Sequence, residues 1–62
     1  MCRHTDIAKK FAKKEIEKHP GLKSEIQEFV QLMYDEIEEG GSPAHESELC
    51  ISSINELIKE NT

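Results

Sequence analysis

Tryptophan is absent from this chain, tyrosine occurs once and phenylalanine twice. Any core must therefore be aliphatic, built from Ile, Leu, Val, Met and Ala. With 62 residues the chain forms one domain at most, and a domain of that size buries only roughly 60% of the surface its unfolded form exposes. Such a core can hold a fold, but it is too small to enclose a substrate-sized cavity as well. Size thus argues against an enzyme working alone.

Long apolar runs are missing too. Charged residues interrupt every stretch from Arg3 to Lys18, which is at odds with a secretory leader. A membrane-spanning helix needs about 20 consecutive apolar residues, and the chain has no such stretch. The expectation is a cytoplasmic protein without membrane contact. In that compartment Cys2 and Cys50, the two cysteines, read as reduced thiols and not as a disulfide.

Positive charge is scarce over the last two thirds. From Met1 to Lys23 seven basic residues face three acids, a net of +4, while from Ser24 to Thr62 Lys59 alone faces ten acids, a net of −9. The two segments together give the formal charge of −5. Polarity of this kind bears on how helices meet and which partners approach, and not on a reaction.

Glycine and proline are few, and they cluster. His19-Pro20-Gly21 breaks the chain once, because proline lacks an amide donor and pushes the residue before it out of helical geometry. Gly40-Gly41-Ser42-Pro43 breaks it again. One of the two glycines can close a helix in the left-handed conformation, Ser42 suits the cap of the next helix and Pro43 its first turn.

The three segments so defined all show helical periodicity. Ile7, Ala8, Phe11, Ala12 and Ile16 recur at i, i+3 or i+4, with Thr5 or Asp6 as a cap. Leu22, Ile26, Phe29, Val30, Met33 and Ile37 form a second stripe, and Cys50, Ile51, Ile54, Leu57 and Ile58 a third. No segment alternates polar and apolar residues as a half-buried strand does. The pattern predicts an all-α fold, a small three-helix bundle with short loops and antiparallel neighbours. Its helices fall near 5–18, 21–39 and 43–60 in a single domain over 1–62. The predicted core is Ile7, Phe11, Ile16, the second stripe and the third, with antiparallel pairing of helices 1 and 2 favoured by their opposite charges.

Motifs of chemistry are missing throughout. Asp35 to Glu46 has the length of a calcium loop, with Asp35 first, Gly40 sixth and Glu46 last, but Ile37 stands where a third ligand is needed and Pro43 where a water-mediated one is. His4, His19, His45, Cys2 and Cys50 show no close pair of zinc-ligand spacing. His45-Glu46 opens like a zinc-protease motif, yet Leu49 replaces its second histidine. The serines lack a nucleophile elbow, and no glycine-rich loop is present to cradle phosphate. Neither catalytic residues nor metal ligands are predicted, and no cofactor.

Binding is what remains. The second helix is wider in apolar surface than its stripe requires: Leu32 and Tyr34 fall about 90–110° to either side of its centre. Two explanations fit: a central helix using both flanks against its neighbours, or an exposed partner surface. Together with Glu36, Glu38 and Glu39 they define a candidate protein-binding face, of the kind a small regulatory or adaptor protein or an inhibitor would use. A nucleic-acid alternative rests on Lys9, Lys10, Lys13 and Lys14 in helix 1, since lysine contacts to phosphate dominate non-specific affinity. The third helix is poorly suited to reading the major groove, because it carries Glu46, Glu48, Glu56 and Glu60 against Lys59 and has no arginine for guanine. A homo-oligomer, in which Leu32 and Tyr34 meet a second copy, is the third expectation.

Overall fold

The computed structural model describes residues 3–62. Met1 and Cys2 lie outside the described residues, and with them any pairing or metal ligation by Cys2. Three α-helices make up the fold, α1 (Arg3–Lys18), α2 (Lys23–Glu38) and α3 (Pro43–Glu60), with no strand among the described residues. Links of a few residues turn the chain back on itself twice, so α1 and α3 run parallel and α2 runs against both. Consistently, the N-terminal halves of α1 and α3 share one groove, where His4 and Ile7 meet Ala44, Ser47 and Ile51. The bundle measures 33 × 18 × 15 Å.

The helix ends follow local chemistry. At the first break Pro20–Leu22 forms a single 3-10 turn that runs straight into α2. Proline fixes its own φ and lacks a donor, which suits a first helical position. The Leu22 amide donates to the His19 carbonyl at 2.9 Å and closes the turn. The helix expected from residue 21 therefore begins as this tighter turn and becomes α-helical at Lys23. At its far end α2 stops in a Schellman motif: the Gly41 amide donates to the Glu36 carbonyl at 2.8 Å and the Gly40 amide to that of Ile37 at 3.1 Å. Gly40 is the left-handed residue, with φ 109°. Ser42 takes the cap position of α3, but its side chain makes no capping hydrogen bond; its carbonyl accepts from the Glu46 amide at 2.8 Å. The expected caps of α1 are displaced as well, because the helix starts at Arg3 and places Thr5 and Asp6 inside the first turn.

The core joins Ala8 and Ala12 of α1, Ile26 and Met33 of α2, and Cys50 and Ile54 of α3. Ile26 and Ile54 are its largest fully enclosed side chains. Ser47 is buried beside them and returns its hydroxyl to the Ala44 carbonyl at 3.0 Å, so its polar atom is satisfied within its own turn. α1 contributes small side chains at the centre, and Phe11, Ile16, Leu22, Phe29, Val30, Ile37, Ile51, Leu57 and Ile58 pack half-buried around it. Ile7, expected in the core, is 52% exposed. One residue turns a helix by 100°, so Ile7 sits well off the direction of Ala8, which is fully enclosed.

α3 is the hub of the bundle. It packs extensively on both α1 and α2, whereas α1 and α2 touch each other least. The first two helices do pack antiparallel, but among the described residues no ion pair joins them. The ion pair found among the described residues, Lys18 Nζ to Glu15 Oε2 at 3.9 Å, lies within α1.

Candidate interaction surfaces

Besides the groove between α1 and α3, two grooves flank α2, one on each side. The first runs between α2 and α3. Phe29, Leu32 and Met33 form its α2 wall, and Leu49, Cys50 and Ser53 its α3 wall. Leu32 is 55% exposed and Leu49 is 49% exposed, two of the three large apolar side chains this open to solvent among the described residues. Glu36 and Glu46 stand at one end of the groove. At the other end it continues past Leu57 to Glu56 and Glu60. No lysine or arginine lines it. The result is a strip of leucines bounded by carboxylates. Its end beside the turn is tightly built: a Cβ on Gly41 would lie 2.8 Å from the Glu36 carbonyl and 3.1 Å from the Glu46 side chain. The close turn therefore sets the Glu46 side chain against Gly41 at this end of the groove.

The second groove lies between α1 and α2 and has a volume of about 480 Å³. Ala12 and Ile16 of α1 and Val30 and Tyr34 of α2 give it apolar walls. Lys9, Lys10 and Lys13 border it on the α1 side, and Asp6 is the one acid that lines it. Across from the lysines α2 presents Gln27 and Gln31, which are neutral. Gln31 Nε2 donates to Asp35 Oδ1 at 3.1 Å. No ion pair joins Lys9, Lys10 or Lys13 to a described acid.

No family model, curated protein or solved structure matches this chain. What the two grooves do must come from their own chemistry.

The structure distributes the candidate residues over both. Leu32 and Glu36 line the acidic strip, while Tyr34 turns into the lysine-bordered groove. Leu32 and Tyr34 are thus not one surface; each flank of α2 faces a different neighbour. Glu38 and Glu39 are exposed at the end of α2 and line neither groove. Lys9, Lys10 and Lys13 share a groove, whereas Lys14 is exposed beyond it. Leu49 lies off the third stripe, five residues, or about 140°, from Ile54 on the helix. Its signal is the run Leu49-Cys50-Ile51, which is broader than one buried face needs.

Cys50 belongs to the core: burial pushes its thiol up from the ordinary 9.0, because the low-dielectric interior disfavours thiolate. A thiol held protonated is a poor nucleophile and a poor metal ligand. Among the described residues no three His, Cys, Asp or Glu side chains gather as metal donors, and no described helix is long and apolar enough to cross a membrane. The chemistry these grooves present is apolar contact with charge at the edge.

Proposed function

We propose that this protein acts by binding another protein, as a small regulatory or adaptor module, and that the acidic strip between α2 and α3 is the binding surface. The pairing of exposed Leu32 and Leu49 across one groove, with Glu36 beside them, carries the proposal. Fully burying a leucine side chain is worth about 1.5–3 kcal/mol, so covering two half-open ones contributes about 2 kcal/mol in all. An exposed ion pair contributes only about 0–1 kcal/mol. The leucines therefore supply affinity, and the glutamates select and steer a basic partner. The fitting partner is an amphipathic helix with apolar residues at i, i+3, i+4 and i+7 and lysine or arginine flanking them. Binding in place of catalysis, and a cytoplasmic setting, belong to the same proposal.

The test is fluorescence anisotropy with a labelled Leu/Lys amphipathic helical peptide. The double variant Leu32→Ser, Leu49→Ser leaves charge unchanged and is expected to weaken binding by about tenfold or more. Equal affinity for wild type and variant means attraction by charge alone and overturns the proposal, as does an absence of binding at high micromolar protein.

A further inference from the structure

The groove on the other side of α2 has the opposite sign, bordered by Lys9, Lys10 and Lys13. The geometry points to an acidic amphipathic helix of a partner protein as its occupant. The shape of the furrow calls for a helix. α3 covers one side of the α1–α2 pair, while on the other side the pair stays open along its length, with a volume of about 480 Å³. Two antiparallel helices lying side by side leave a furrow that a further helix fills, as in a four-helix bundle. The furrow runs from Asp6 to Ile16 on α1, a rise of about 15 Å, enough for about three turns of a docked helix.

Its walls then select the partner. Ala12, Ile16, Val30 and half-buried Tyr34 offer apolar contact, and a tyrosine hydroxyl suits the polar edge of a docked helix. Lys9, Lys10 and Lys13 are exposed and are not paired with any described carboxylate. A helix bearing glutamate or aspartate beside its apolar stripe satisfies both at once. Lysine stems lie along apolar surface while their ammonium groups reach outward, so the same three residues frame the furrow and supply the charge. A phosphate backbone would be drawn to the lysines as well, but it has no use for the apolar walls that Ile16 and Val30 provide.

The site stands independently of the acidic strip. Only the further arrangement, a basic partner on one side of α2 and an acidic partner on the other, rests on the function proposed above.

A labelled Leu/Glu amphipathic helical peptide of about 18 residues, long enough to cover the furrow, decides the matter by anisotropy at low salt. Wild type is expected to bind it; Lys9→Gln with Lys13→Gln weakens binding by about tenfold, and Tyr34→Ala by about threefold or more. Lys14→Gln, on an exposed residue outside the furrow, changes affinity little, and Leu32→Ser with Leu49→Ser leaves it intact even if the acidic strip proves to have no partner. Circular dichroism confirms that each variant keeps its helices. The proposal falls if no binding is seen at high micromolar protein, or if Tyr34→Ala has no effect and Lys14→Gln weakens binding as much as the furrow lysines do. It falls too if a single-stranded oligonucleotide binds more tightly than the peptide and displaces it. Concentration-dependent dimerisation abolished by Lys9→Gln with Lys13→Gln would make a second copy the occupant and overturn the partner helix.

Discussion

At the scale of single residues, burial decides what a side chain can do. Cys50 is 4% exposed and its thiol is pushed above 9.0 by desolvation. The folded chain therefore keeps its proton at alkaline pH where the unfolded chain has lost it. A raised acid pKa stabilises the fold fully below the unfolded value, and that stability is lost as pH rises through the unfolded value toward the folded one. Urea midpoints measured from pH 7 to pH 11 are expected to fall more steeply above about pH 9 for wild type than for Cys50→Ala. Parallel curves would show that the thiol is no more buried than in the unfolded chain. Much of this core was legible from spacing: Ile26, Met33, Cys50 and Ile54 all lie on the predicted stripes and all are buried. Ile7 shows where spacing misleads. Hydrophobicity ranks Ile7 above Ala8 and Ala12, but it is the alanines that face inward, because α1 meets the bundle through its smallest side chains. A ranking by apolar area does not contain that steric demand.

At the scale of elements, the turn between α2 and α3 bears the most specific backbone requirement. Gly40 sits at φ 109°, where a side chain costs about 1–2 kcal/mol. At Gly41 an added Cβ would press to 2.8 Å on the Glu36 carbonyl, the same atom that accepts the Gly41 amide. Both Gly40→Ala and Gly41→Ala are expected to lower stability by about 1–2 kcal/mol, read as a shift in urea midpoint without a change in slope. Ser42→Ala is the contrast, because the hydroxyl makes no capping bond; its cost should stay below about 0.5 kcal/mol, the low end for a working cap. A serine variant as damaging as the glycine variants would show that the hydroxyl does cap α3 in solution. The break itself was plain in Gly40-Gly41-Ser42-Pro43. The division of labour within it was not, since either glycine satisfies the sequence pattern and only the hydrogen-bond ladder of α2 fixes which one turns left-handed. The candidate surfaces were legible in the same partial way. Composition showed that α1 is basic and α2 acidic, and the helical wheel showed that Leu32 and Tyr34 flank the stripe. Which neighbour each flank meets depends on packing between helices, so Leu49 opposite Leu32 had no local signal strong enough to name it.

At the scale of the whole molecule, the division of charge serves contact with other molecules better than it serves the fold. If α1 and α2 were held by their opposite signs, their facing sides would carry lysine against glutamate. Instead Gln27 and Gln31 stand across from the lysines, α1 and α2 touch least of the helix pairs, and the acids of α2 gather toward its C-terminus without a basic residue in its last turn. Carboxylates at that end oppose the helix dipole by about 0.3–1 kcal/mol each at low ionic strength. Among the described residues no ion pair links α1 to α2 to offset this repulsion, in a chain of net charge −5. Raising salt from about 0.01 M to about 0.15 M shortens the screening length from about 30 Å to about 8 Å and relieves that repulsion. A gain of about 0.5 kcal/mol corresponds to about 2–4 °C in a domain this small, so the melting midpoint is expected to rise by that much. Ion pairing between α1 and α2 as the main support of the fold requires the opposite, a fall of several degrees over the same range. Binding at the two grooves carries the reverse sign, because screening weakens the attraction of a basic helix to Glu36 and of an acidic helix to Lys9 and Lys13. A fold that tightens with salt while both peptides loosen would place the role of the split charge at the grooves and not in the packing of the helices.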